Sequence, residues 1–217
     1  MIKKTSKHES LLEEIFNATS HGIGILLGVA GLVLLVVFSA LEGSALKVTT
    51  SAIYGSAIIL MFLASTFYHS FQDPKIKSFF QIIDHISIYI LIAATYTPIM
   101  LVTVGGAWGW SMFGVIWGLA AFGTVFKILY IGRFEFFSLA LYAVMGWLVL
   151  IALHPLLQAL PLGGLIWLTT GGLCYTLGII FYILDSKYKF SHFLWHLLVL
   201  AGCICHFFAV LLYVISP

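Results

Sequence analysis

Charge is what this sequence has least of. Asp, Glu, Lys and Arg make up 8% of its 217 residues, where a soluble domain carries about 25%. Hydrophobic residues account for 62%, and the mean hydropathy is +1.11. These values exclude a separate soluble domain of ordinary size and describe an all-α integral membrane protein. No basic patch of the kind that binds nucleic acid is present, so no nucleic-acid partner is expected. Cysteine is scarce. Cys174, Cys203 and Cys205 all lie in apolar segments with no CxxC among them, which excludes a disulfide framework and reads as small buried hydrophobes. There is no internal repeat, no low-complexity segment and no HExxH motif.

Long apolar runs are abundant. A span needs roughly 20 apolar residues, and seven candidates are expected at about 19–41, 48–69, 82–103, 108–129, 136–154, 162–184 and 192–215. The first run follows Lys3, Lys4 and Lys7 but is longer than the core of a cleaved signal, so it reads as a retained helix. Short connections imply antiparallel neighbours in one bundle. The expected organisation is a cytoplasmic segment, 1–18, and a single seven-helix membrane domain, 19–217. With seven spans, Lys3, Lys4, Lys7, Lys75, Lys77, Lys127, Arg133, Lys187 and Lys189 share one face, against Lys47 on the other. The positive-inside rule then puts the N-terminus in the cytoplasm and the C-terminus outside. Pro98, inside the third span, is expected to loosen its helix. Gly24/Gly28 and Gly114/Gly118 are small-xxx-small pairs suited to close helix packing.

Polar residues inside the spans collect at the cytoplasmic end. His69 closes the second span, Asp84 and His85 open the third, and His192 and His196 open the seventh. Glu13, Glu14, Asn17 and His21 lie near the start of the first. His192 and His196 are four apart and share a helix face, as do Ser65 and His69. Imidazoles at membrane depth need a partner or a function. Three at one level fit an open zinc site of three histidines and a water, although imidazole also suits copper, iron and nickel. Zinc would make hydroxide available at neutral pH. Asp84 is the carboxylate best placed to move a proton, and Ser65 can hydrogen-bond a ligand or the water. On the seventh span, His192, His196, Val199, Cys203, His206 and Val210 form one inward stripe. On the third, Asp84, Ser87, Leu91 and Thr95 do the same. His206 lies ten residues past His196, about 15 Å along a helix, too far to share the ion. It is expected to line a cavity or bond a neighbouring helix. His85 points away from Asp84, and His154 falls at the opposite face. Packing or capping is expected of His21, while Glu13 and Asn17 read equally as a helix cap or as support for the site.

Glu13/Glu14-x-x-Asn17 with Ser20-His21, Ser65-x-x-x-His69, Asp84 and His192-x-x-x-His196 together resemble the hemolysin III family, which belongs with the progestin and adipoQ receptors. Ala201 to Val210 resembles its bacterial branch. The likeness covers nearly the whole chain. It implies a seven-helix bundle with a cytoplasmic N-terminus and zinc on His69, His192 and His196, with the family's serine and aspartate at Ser65 and Asp84. The superfamily includes alkaline ceramidases, so the implied chemistry is hydrolysis of a lipid amide or ester by zinc-bound water, with a membrane lipid as substrate or ligand. The alternatives are a cytolytic pore or transporter, and a membrane-homeostasis sensor with structural zinc. The extended N-terminal domain of the eukaryotic receptors has no counterpart, so a receptor for a soluble hormone is not expected.

Overall fold

Seven helical spans, alternately up and down, account for nearly all of the computed structural model, which describes residues 10–130 and 132–215. Lys3, Lys4, Lys7 and His8 lie outside the described residues. Helix α1 (Leu11–Leu41) is followed by α2 (Ala45–Ser70) and α3 (Pro74–Pro98), which continues as a π-helical stretch, Ile99–Val104. Then come α4 (Gly106–Leu129), α5 (Glu135–Trp147), a 3₁₀ segment (Leu148–Ala152) and α6 (Leu153–Ala159). Helices α7 (Leu162–Leu184) and α8 (Ser191–Val210) complete the bundle, α8 ending in a π-helical turn, Leu211–Ile215. Each span is long and apolar enough to cross a bilayer, and no strand occurs among the described residues. The core runs down the axis through Leu35, Tyr54, Phe62, Tyr89, Met100, Ile116, Met145 and Val210, while leucine, valine and phenylalanine face lipid.

The helices begin earlier than hydropathy alone suggests, because capping chemistry starts them. Ser10 and Glu13 form a reciprocal capping box, so α1 starts at Leu11 rather than near residue 19. Its first polar turns are buried instead of solvated, with Glu13, Glu14 and Asn17 facing inward. Asp73 accepts hydrogen bonds from the Lys75 and Ile76 amides, at 2.9 and 3.1 Å, with Pro74 opening α3. Pro98 loosens its helix as expected: the π-helical turns begin at the next residue.

Two expectations are corrected. The fifth span does not stop near His154 but continues to Ala159, broken in the middle. Pro155 has no amide hydrogen, and its ring conflicts with the carbonyl four residues back, at Ile151, inside the 3₁₀ segment. The Tyr96 hydroxyl ties the end of α5 to the start of the 3₁₀ segment. It lies 2.9 and 3.0 Å from the Met145 and Gly146 carbonyl oxygens and accepts the Val149 amide at 2.8 Å. The two glycine pairs also part company. Gly24 and Gly28 are buried, and a Cβ on Gly24 would come within 2.7 Å of the Phe62 ring. Gly114 and Gly118 face outward with nothing within 4 Å of an added Cβ, so they make no close helix contact. Spacing alone does not say which face of α4 meets a neighbour. Gly123, where a Cβ would come within 2.5 Å of Tyr89, does that work.

Candidate metal centre

Two helices bring three histidines to one point. His69 comes from the last turn of α2, and His192 and His196 from the first two turns of α8. One ligand atom from each lies within 4.8 Å of the others. The ring centroids are 4.8 to 5.1 Å apart. His69 and His196 are almost fully buried, and His192 is partly so.

The second nitrogen of each ring is directed by a neighbour. His69 Nδ1 donates to Glu14 Oε2 at 2.7 Å, and Lys77 Nζ donates to the other oxygen of the same carboxylate. His196 Nδ1 donates to the Asn17 carbonyl oxygen at 3.2 Å, with Ser20 Oγ at 3.4 Å. Asp185 Oδ2 stands 3.6 Å from His192 Nδ1, an electrostatic rather than a hydrogen-bonding distance. An oxygen behind Nδ1 is how metal-binding histidines are oriented and made more basic, with Nε2 turned to the ion. The donor set therefore fits a divalent metal that takes imidazole nitrogen, zinc among them.

Helix α1 assembles this arrangement. Glu14 orients His69, and the Asn17 carbonyl orients His196. His21 stacks parallel on the His196 ring, with centroids 3.7 Å apart and planes 8° off. Glu13 Oε1 accepts the Phe190 amide at 2.9 Å, fixing the left-handed residue that starts α8. Glu13 thus caps its own helix and also pins the histidine helix, so both readings of that residue hold. The sequence did not separate Glu14 from Glu13. The signal available was the i, i+3, i+7 line of Glu14, Asn17 and His21 on one helix face. Asp185 and Lys77 carried no local signal at all.

Ser65 and Asp84 are also at this end. Ser65 is buried one turn deeper than His69, and the Asp84 carboxylate faces the Ser65 hydroxyl and lies near His192. Both line a cavity of about 210 Å³ together with His21 and His196. The cavity continues between apolar walls, Leu91, Ile99, Met100 and Val199 among them, as far as Leu156, Leu165 and His206. His85 takes no part. Its carbonyl accepts the Tyr142 hydroxyl at 2.8 Å. His154 is exposed.

The family described as haemolysin-III related matches residues 9–207. The chain belongs to that family. It is 41% identical to Hemolysin-3 of Bacillus cereus over 98% of this chain and 97% of that protein. It is 44% identical to the Hemolysin-3 homolog of Bacillus subtilis (strain 168), over 95% of this chain and 97% of that one. A more distant relative, the human Monocyte to macrophage differentiation factor, is 29% identical over 91% of this chain and 83% of its own length. With seven spans and this kinship, the haemolysin-III related chain is a multi-pass cell-membrane protein.

Proposed function

We propose that this haemolysin-III related protein is a zinc-dependent intramembrane hydrolase of a lipid amide or ester. The observation that carries the reading is the convergence of His69, His192 and His196 beside a largely apolar cavity, which His196 lines together with Ser65 and Asp84. A metal-closing polar cluster recognises a reacting group, and an apolar channel at membrane depth accepts a hydrocarbon chain. The N-terminus is proposed to be cytoplasmic. Supporting this, Lys75, Lys77, Lys127, Arg133, Lys187 and Lys189 gather at the histidine end, whereas Lys47 sits at the other, bonded to the Ile215 carbonyl at 2.9 Å. Residues 1–18 then lie on the cytoplasmic side, with the first turns of α1 closing over the site.

His69, His192 and His196 would hold the ion. Zinc bound there supplies Lewis acidity and a hydroxide nucleophile at neutral pH. The rest is done by the chain. Asp84 accepts the proton of the attacking water and delivers it to the leaving nitrogen or oxygen. Ser65 holds the Asp84 carboxylate by its hydroxyl, keeping it beside the reacting carbonyl. Glu14, the Asn17 carbonyl and Asp185 keep the three imidazoles in register.

The test is metal content and turnover on one preparation in detergent. Wild type should carry about one zinc per chain and release fatty acid from an N-acyl amide or ester. The His192→Ala/His196→Ala variant should lose both. A folded wild type that takes up no metal when zinc is supplied sinks the proposal. The name of the bacterial relatives favours a second reading, membrane lysis. Dye release from sealed vesicles that persists in the double variant would support it over hydrolysis.

A further inference from the structure

His206 stands apart from the metal centre and has no role in the chemistry above. It lines the same cavity as Ser65, Asp84 and His196, ten residues beyond His196 on α8, about 15 Å deeper along the helix. Its Nε2 is 3.1 Å from the Leu168 carbonyl oxygen. A carbonyl only accepts, so Nε2 carries the proton and Nδ1 is a bare acceptor. Nδ1 is buried and has no hydrogen-bond partner among the described residues. The ring is seated firmly. Tyr175 meets it edge-on at 5.3 Å, and Gly171 is so close that a Cβ there would fall 2.3 Å from His206 Cδ2.

Three hydroxyls of the cavity are committed elsewhere. Thr95 donates to the Leu91 carbonyl at 2.8 Å, Thr176 to the Gly172 carbonyl at 2.8 Å, and Tyr175 to Cys203 Sγ at 3.2 Å. None of these protons reaches His206. A buried acceptor left without a donor is costly and calls for a ligand or water. Leu156 and Leu165 line the same cavity, and on the reading above the chain of a bound lipid reaches this depth.

We propose that His206 is a specificity-determining residue that accepts a hydrogen bond from a hydroxyl carried on the hydrocarbon chain of the bound lipid. The preferred ligand is then a hydroxyacyl lipid whose hydroxyl sits about 15 Å from the group held at the histidines. This rests on the cavity being the lipid site proposed above, but not on hydrolysis taking place there. The physical reasoning gives a sign. A hydroxyl entering an apolar channel loses its water and binds worse than a plain chain unless an acceptor meets it. With His206 the hydroxylated chain is favoured, and without it the same chain is penalised.

The experiment uses the full-length, zinc-loaded protein and measures dissociation constants for stearoyl amide and a positional series of mid-chain hydroxystearoyl amides. Wild type should bind one member of the series about fivefold more tightly than stearoyl amide, the size of one net hydrogen bond. His206→Phe keeps an aromatic ring but removes the acceptor. It should reverse that preference, read as the ratio of the two dissociation constants, while leaving zinc content unchanged. Gly171→Ala, which displaces the imidazole, should erase the preference too. Wild type that binds no hydroxylated chain more tightly than the plain one overturns the proposal whether or not the variants fold, and means that a water satisfies Nδ1. Equal loss of both ligands in His206→Phe overturns it as well and assigns His206 to packing. Fatty acid release is followed in parallel. A hydroxyl preference without turnover removes the hydrolase and leaves the His206 contact. Turnover without a hydroxyl preference does the reverse, and absence of binding to any amide removes both.

Discussion

The Glu14 carboxylate and the His69 imidazole meet at 2.7 Å across the contact between α1 and α2, with Lys77 on the carboxylate's other oxygen. A chain of three side chains from three helices thus ends at an imidazole of the three-histidine cluster. Replacing Glu14 by Gln keeps the shape and removes the charge. Zinc affinity, measured by competition with a chromophoric chelator, should fall about 10- to 100-fold. An unchanged affinity would show that Glu14 serves only to hold α1 to α2.

Asp84 and Ser65 should separate from the histidines in the same assays. Asp84→Asn is expected to retain its zinc and to lose turnover by about a hundredfold to ten-thousandfold. Ser65→Ala should lose less, since it removes the group that positions Asp84 and leaves the carboxylate itself. Loss of metal in Asp84→Asn would make that residue a ligand instead.

Metal removal should register as stability. A ligand bound only by the folded state at about a thousand times its dissociation constant contributes about 4 kcal/mol. Stripping zinc should therefore lower the thermal midpoint in detergent, and adding it back should restore the midpoint. The His192→Ala/His196→Ala variant should show no response to either treatment.

Tyr96→Phe removes the hydroxyl that serves both the end of α5 and the start of the 3₁₀ segment. It leaves buried backbone groups without their partner and should cost about 1–3 kcal/mol. Zinc content should stay the same. A midpoint equal to wild type would mean that water replaces the hydroxyl.

Two glycine variants give opposite signs. Gly24→Ala forces a methyl against Phe62 and should destabilise by about 1–3 kcal/mol. Gly114→Ala meets nothing and should be neutral or stabilising by up to about 1 kcal/mol through helix propensity. Matched thermal midpoints for the two would contradict the packing described here.

The spans were legible because burial in lipid demands unbroken apolar length, a property that any window of the sequence displays. The histidine trio was legible for a related reason. With seven alternating spans, the ends of α2 and α8 must coincide, and a spacing of four fixes the helix face. What was not legible depends on contacts between residues far apart in sequence. Glu14 and Glu13 look interchangeable in the sequence, yet one reaches His69 and the other Phe190. Asp185 reads as loop punctuation until the turn before α8 carries it to His192. The glycines of α4 share their spacing with those of α1 and differ only in which face the bundle covers. The break in the fifth span follows from Pro155, but its repair by Tyr96 depends on a partner some fifty positions away.

The first helix and the last helix each hold half of what the other needs. Glu13 fixes the start of α8 and the Asn17 carbonyl aims His196, while α8 supplies two of the three imidazoles. A ribosome delivers these pieces at opposite ends of translation. Until the final span has been inserted, the His69–Glu14 pair has neither of the other two imidazoles beside it. On the proposed reading, capture of the ion acts as a receipt for completed synthesis, since a chain that stops short of α8 lacks two of the three imidazoles.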